Sequence, residues 1–272
     1  MAAPTIEELK SRAKQIRRDI IEMTAAAGSG HPGGSLSATE IFAALYFGVM
    51  RHDPKNPKWP DRDRLILSKG HASPVLYSTL AEAGYFDRKL LLTFRKLGSP
   101  LQGHPDRRRV PGVEASTGSL GQGLSIGIGH ALARRLDKKD YTTYVILSDG
   151  ETNEGQTWEA AAMAAHHKAD HLIAILDCNK FQLDDATKII CDMEPLADKW
   201  RAFRWHVQEI DGHDLSQIFK AVEACKKVKD QPAIIIAHTI KGKGVSFMEN
   251  NNHFHGVAPT KDEAERALKE LA

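Results

Sequence analysis

The sequence is short of the features that mark specialised classes of protein. Its cysteines, Cys178, Cys191 and Cys225, are only three and have no metal-ligand spacing. That excludes a disulfide framework and a thiolate zinc site, and it fits free thiols in a reducing, cytoplasmic setting. No apolar run approaches the roughly 18 residues needed to cross a bilayer, so no membrane role is expected. The N-terminus lacks a signal-peptide core, because Glu7, Glu8, Lys10, Arg12 and Lys14 interrupt it. An excess of one charge is also missing: 37 basic against 35 acidic residues leave a net charge of +2, which gives no case for nucleic acid. No internal repeat or low-complexity segment is visible. What remains is the composition of a soluble globular protein, 42% hydrophobic and 26% charged. Its 272 residues are enough for one large α/β domain or two small ones.

The chain is organised around 144–185. Val145, Ile146 and Leu147 form a short apolar run that ends in Ser148-Asp149-Gly150. A helical composition follows over 154–168, with Trp158, Ala161, Ala162 and Ala165 spaced for one face. A second apolar run, 172–176, ends in Asp177-Cys178-Asn179. This pattern predicts two parallel strands joined by a helical crossover. Asp149 and Asn179 then lie at the carboxyl ends of strands, the edge where open parallel sheets bind ligands. One carboxylate and one amide oxygen suit Mg²⁺, which keeps some water and takes further oxygens from phosphates. Gly150 leaves room for a phosphate, and the next helix offers it free N–H groups.

The other elements add loops of one kind. A capping box at Thr5 and Glu8 opens a helix that ends at Gly28. Ser29-Gly30-His31-Pro32-Gly33-Gly34 follows as a loop. A second capping box, Ser37 with Glu40, predicts an apolar helix through residue 50. A strand at 64–67 runs into Ser68-Lys69-Gly70-His71-Ala72, a plausible diphosphate contact or a helix start with a solvated lysine. A helix to residue 83 stops at Gly84, and Asp87 caps another that stops at Gly98. Gly103-His104-Pro105 is again a glycine–histidine–proline loop. Arg107, Arg108 and Arg109 read as a solvated face, with a sugar-phosphate contact as the lesser alternative. Ser116-Thr117-Gly118-Ser119-Leu120-Gly121-Gln122-Gly123 precedes a helix over 124–136. Gly121-x-Gly123-x-x-x-Gly127 overlaps a nicotinamide-cofactor pattern, but no apolar strand precedes it, since Pro111, Gly112 and Glu114 fill that place. Further elements are a helix at 194–203, a strand at 205–210, a helix from Asp214 to near 229 and a buried strand at 232–238. Lys241-Gly242-Lys243-Gly244 and His255-Gly256 close the set, and Asp262 caps a final helix.

Taken together, these motifs resemble the transketolase family. The resemblance runs from about residue 17 to 259. It rests on Ser-Gly-His-Pro at 29–32, Ser-Lys-Gly-His-Ala at 68–72, Gly-His-Pro at 103–105, Thr-Gly-Ser-Leu-Gly-Gln-Gly at 117–123, Asp149-Gly150 with Asn179, and the closing Lys-Gly and His-Gly pairs. One departure is Ser148, where the family usually has Gly. The resemblance implies thiamine diphosphate and Mg²⁺ as cofactors. Asp149, Asn179 and the backbone carbonyl of Phe181 would hold the metal. His71, Gly118, Ser119, Leu120, Gly150, Glu154, Asn179, Lys241 and His255 would bind the cofactor, Glu154 at a subunit interface. His31, His104 and His255 would be catalytic, binding sugar hydroxyls and moving protons with pKa values near neutrality.

The fold so implied is α/β, a mostly parallel sheet with helices on both faces, in a single domain over 1–272. The reaction so implied passes a two-carbon ketol unit from a ketose phosphate to an aldose phosphate. The family's activating glutamate belongs to a pyrimidine-binding domain that this sequence lacks. The expectation is therefore an N-terminal subunit of a split transketolase, inactive without a C-terminal partner subunit carrying that domain. A homodimer within a heterotetramer is implied, with the apolar helix at 41–50 and the alanine-rich helix near 160 as contact surfaces. Three alternatives stand beside this: a related ketol transferase (deoxyxylulose phosphate synthase-like, or a transketolase for an unusual sugar such as a sulfosugar), a non-catalytic scaffold subunit, and, more distantly, a nicotinamide dehydrogenase.

Overall fold

In a computed structural model describing residues 4–272, five parallel strands lie in the order β1-β2-β3-β5-β4. They are β1 (Arg64–Leu67), β2 (Thr143–Ser148), β3 (Leu172–Cys178), β4 (His206–Asp211) and β5 (Ala233–His238). The chain steps from β1 to β3, jumps to the edge for β4, and returns with β5 between them. β1, β2 and β3 are buried along their whole length, so their runs are continuously apolar rather than alternating.

Two apolar cores sandwich the sheet. Tyr144, Ile146, Ile173, Ile175 and Ile235 face one core, while Val145, Leu147, Ala174, Leu176 and Ile236 face the other. The first core takes α1 (Ile6–Ala27), α2 (Pro32–Ser37), α3 (Thr39–Ala44), α4 (Ser73–Glu82), α9 (Leu215–Lys226) and α10 (Lys261–Glu270). The second takes α5 (Gln122–Leu136), α6 (Gly155–His166) and α8 (Leu196–Ala202). A short α7 (Thr187–Ile190) lies in the loop after β3. α5 lies close on the sheet because its glycines permit it. A Cβ at Gly127 would come within 2.4 Å of Val145, and one at Gly123 within 2.4 Å of Ser68. The nicotinamide-like glycine spacing is therefore a helix–sheet packing device.

Several predicted details differ. Ser37 is not an N-cap: it ends α2, and its hydroxyl donates to Asp177 at 2.6 Å. The expected helix to residue 50 is α3 followed by a π-helical turn, Leu45–Val49, and before it the second half of the expected glycine-rich loop at 29–34 is helical, as α2. Of the expected contact surface at 41–50, Ile41 to Leu45 are fully buried within this chain and belong to the core, while Phe47 to Met50 keep partial exposure. On α6 the inward face is Thr157, Ala160, Ala161 and Ala164; Ala162 is exposed, about one position away from the expected stripe. The segment after Asp87 is a 3₁₀ turn, Arg88–Thr93, and the last helix is capped by Thr260 and Glu263 rather than Asp262.

Candidate active site

Four adjacent strands deliver the glycine–histidine loops to one edge of the sheet. Ser68 follows β1, Asp149 follows β2, Asn179 follows β3 and Thr239 follows β5. Above that edge lies a cleft of about 420 Å³. Of the residues expected from sequence, His31, His71, Gly118, Leu120, Gly150, Glu154, Asn179, Phe181, Lys241 and His255 line it. Asp149, 3% exposed, lies behind the lining, between the lining residues Ser148 and Gly150. Ser119 is exposed outside the lining, and so is His104, whose ring packs against Gly118 close enough to meet a Cβ there at 2.8 Å. The arginines at 107–109 are exposed and stand outside the cleft; Arg108 and Arg109 pair with Asp106 at 3.1 and 3.7 Å. The solvated-face reading of that run fits this placement.

Asp149 accepts from two backbone amides, Gly150 N–H at 3.0 Å and Lys180 N–H at 2.6 Å. Burial, and next the charge of Asp177, push its carboxyl up to about 6. Asn179 stands just past the end of β3. Its Nδ2 donates to Asp177 at 3.1 Å, and its Oδ1 accepts from Phe181 N–H at 3.1 Å. An acceptor at Asp177 thus fixes which way the amide faces. Among the described residues no cluster of three or more His, Cys, Asp or Glu is arranged for a metal. One carboxylate with amide and carbonyl oxygens is the donor set of a hard cation that brings further oxygens with it.

Lys69 corrects the solvated-lysine reading, and it lines the cleft together with His71. It is 1% exposed, so it is not solvated, and its ammonium is already taken: it pairs with Asp177 and donates to Gly34 O at 2.7 Å. Asp177, with no exposure, also accepts from Ser37 and Thr239. Burial raises its carboxyl, but Lys69 and these donors outweigh burial and hold it below the usual range. Lys241 is the opposite case. It is equally buried, yet its partners are Asn252 Oδ1 at 2.9 Å, His255 Nδ1 at 2.6 Å, Gln182 O at 3.4 Å and the Phe181 ring at 5.5 Å, none of them a carboxylate. Burial and the nearby Lys69 charge lower its pKa to about 8.

Three imidazoles meet at the cleft wall. Ring centroids are 5.2 Å apart for His31 and His71, 5.4 Å for His71 and His255, and 5.7 Å for His31 and His255. Burial, reinforced by neighbouring positive groups, lowers His31 to about 4, His255 to about 3 and His71 well below its ordinary value. The expected near-neutral pKa values are therefore not found, and all three rings are neutral at pH 7. Lys241 donates to His255 Nδ1, which leaves the ring proton on Nε2. His31 Nδ1 is buried with no hydrogen-bond partner.

Sequence reasoning misses Glu151. It is fully buried and accepts from Ser68 Oγ, from Gly121 N–H at 2.6 Å and from Ser148 N–H at 3.2 Å, which ties three of the motif loops together. An acidic residue directly after Asp-Gly is its only signal. Glu154 takes the N-cap position of α6 at the exposed rim, with no side-chain cap bond.

Comparison with known proteins agrees with this geometry. Residues 9–272 match the family model "Transketolase, thiamine diphosphate binding domain". The 6-deoxy-6-sulfo-D-fructose transketolase subunit SqwG of Clostridium sp. (strain MSTE9) is 49% identical over 97% of this chain and 96% of its own length. An apulose-4-phosphate transketolase subunit of Phocaeicola vulgatus is 40% identical over 98% of this chain and 95% of its own. Human transketolase is 41% identical, but this chain spans 42% of it. The crystal structure of Campylobacter jejuni transketolase superposes with a TM-score of 0.92 at 35% identity, covering 98% of this chain and 43% of that one. The chain therefore matches transketolase subunits along nearly their whole length and full-length transketolases along about two fifths. It belongs to the transketolase family, as a subunit built on the thiamine diphosphate-binding domain.

Proposed function

We propose that this chain, one domain over 1–272, is the cofactor-binding subunit of a two-chain transketolase that moves a two-carbon ketol unit between sugars. The observation that carries the reading is the pair of unmatched charges in one cleft: a buried carboxylate, Asp149, without a cation, and a buried ammonium, Lys241, without an anion. A diphosphate bearing Mg²⁺ satisfies both. The orphaned His31 Nδ1 and the neutral rings of His71 and His255 add donors and acceptors on the same wall.

When bound, thiamine diphosphate supplies the nucleophilic carbon and the electron sink for breaking the ketose C2–C3 bond. Asp149, Asn179 Oδ1 and the Phe181 carbonyl would hold the metal. Lys241, His71 and His255 would receive the diphosphate, with the Gly118–Leu120 turn and Gly150 leaving backbone room for it. Anion binding beside the depressed imidazoles favours their charged forms, which brings them toward the neutral range that proton transfer needs. His31 and His104, on the substrate side, would hold sugar hydroxyls and move protons at them. Glu154 at the rim meets the partner subunit, which supplies the pyrimidine-binding domain; two copies of each chain make the assembly. Free cysteines, two of them buried, suit a cytoplasmic setting.

The test is calorimetric titration with thiamine diphosphate and Mg²⁺, repeated after adding the partner. Binding, with sugar turnover only when both chains are present, is the expected result. Turnover by this chain alone, or no binding in either case, overturns it. The 49% identity to the sulfofructose enzyme's subunit favours a second reading of the donor, an unusual ketose rather than a common ketose phosphate. Offering 6-deoxy-6-sulfofructose and fructose 6-phosphate in competition to the reconstituted complex decides between them.

A further inference from the structure

Lys241 is held in the cleft by side chains that do not themselves line it. The turn that carries it is unusual. Gly242 has φ +78°, and a Cβ there would come within 2.2 Å of the Met248 carbonyl oxygen. A buried ammonium without a carboxylate gains hydration by leaving, so something must keep this backbone in place. Three tethers reach it from elsewhere. Ile240 N–H donates to His213 Nε2 at 2.8 Å, Arg17 Nε donates to Lys243 O at 2.9 Å, and Gly242 N–H donates to Gly33 O at 3.0 Å.

The first two tethers share one anchor. Glu40 accepts from Arg17 at 2.6 Å and from His213 Nδ1 at 2.9 Å. Since His213 Nε2 accepts a backbone N–H, its single proton sits on Nδ1 and points at Glu40. The neutral imidazole thus relays from a carboxylate to a main-chain amide, and the guanidinium relays from the same carboxylate to a main-chain carbonyl. The three side chains are 9%, 12% and 14% exposed, for Arg17, Glu40 and His213. They come from α1, α3 and the turn after β4, and they grip the chain on both sides of Lys241. Burial raises the Glu40 carboxyl, but His213 and Arg17 outweigh burial and keep it ionised.

We propose that Glu40, His213 and Arg17 are positioning residues for diphosphate binding: together they clamp the backbone at 240–243 so that the Lys241 ammonium faces the bound diphosphate. This rests on the cofactor-binding reading of the cleft. A purely structural staple predicts lost stability alone, whereas a clamp predicts lost ligand affinity that passes through Lys241.

The experiment is titration of the full chain, and of its complex with the partner, with thiamine diphosphate and Mg²⁺. His213→Leu weakens binding about 10- to 100-fold, the usual loss for a residue that orients a ligand-binding group. His213→Gln, which can still accept from Ile240 and donate to Glu40, stays within about 3-fold of the wild type. His213→Asn keeps a donor for Glu40 but is too short for Ile240, so it weakens binding like His213→Leu; it serves if the leucine variant fails to fold. In a Lys241→Met background, His213→Leu costs no further affinity, because the residue it positions is gone. Wild-type affinity in both His213→Leu and His213→Asn overturns the clamp, and so do losses that simply multiply with Lys241→Met. No binding by the wild-type chain, alone or in complex, instead overturns the reading of the cleft, and the clamp falls with it.

Discussion

Two lysines and two aspartates, all buried at the same sheet edge, have opposite fates. Under α2, Lys69 and Asp177 neutralise each other; Gly34 O accepts from the lysine, and Ser37, Thr239 and Asn179 donate to the carboxylate. A strand away, Asp149 and Lys241 are as deeply buried and have no opposite charge in contact. The first pair holds loops together; the second is unfinished until a ligand arrives. A buried charge is costly unless matched, so an unmatched one at the edge of a parallel sheet marks where binding energy is to be gained.

Breaking the finished pair has the largest expected effect. Lys69→Met leaves Asp177 buried and uncompensated, and urea denaturation should show a loss of about 3–5 kcal/mol. Adding Asp177→Leu should recover most of it, because no charge is then left stranded. Breaking the unfinished pair should act on ligand instead. Asp149→Ala is expected to weaken Mg²⁺-dependent thiamine diphosphate binding at least about 100-fold, as loss of a metal's only carboxylate implies. It should cost the empty protein far less stability than Lys69→Met, since an unmatched buried charge is removed and only the Gly150 and Lys180 N–H groups lose an acceptor. Equal loss of stability in Lys69→Met and Asp149→Ala would erase the distinction.

Acidification should sharpen it. His31 and His255 are lowered from 6.5 to about 4 and about 3, so between those values and pH 6.5 the unfolded chain binds protons that the folded one does not. The empty protein should lose stability as pH falls through that window. Asp149 works in the other direction. Its carboxyl is raised from 3.8 to about 6, so its contribution is fully present below 3.8 and lost as pH rises through 6. Asp149→Asn removes that offset and should make the acid loss steeper in pH-dependent melting curves. Near pH 6, Mg²⁺ held at Asp149 should displace the carboxyl proton while the bound anion draws protons onto the histidines, so the binding enthalpy should depend on the buffer. The smallest effect is expected away from both pairs. Arg108→Ala, exposed and tied only to Asp106, should change neither melting temperature nor cofactor affinity.

Local chemistry makes much of this readable in advance. The strands β1, β2, β3 and β5 are apolar runs ended by polar residues, and each predicted strand is present with its boundaries moved by a residue or two. The glycine–histidine loops stand out because glycine and proline interrupt helices and strands. Where expectation and structure part, a distant partner overrides a local preference. Ser37 has the sequence of a cap, but Asp177, far along the chain, takes its hydroxyl. Lys69 reads as a surface lysine until α2 and β3 close over it. The apolar stretch at 41–50 has the composition of an interface, and its first half became the interior.

By itself, then, the sequence determined which strands form, that they run parallel, and which loops carry glycine, histidine and acid, since periodicity and turn chemistry act over a few residues. The tertiary structure alone decided which charges are matched. Lys69 finds Asp177 and Lys241 finds none; Glu40, His213 and Arg17 meet around the turn that holds Lys241. Those outcomes depend on desolvation and on contacts between residues tens to hundreds of positions apart. Both come into being only when the sheet and its helices close.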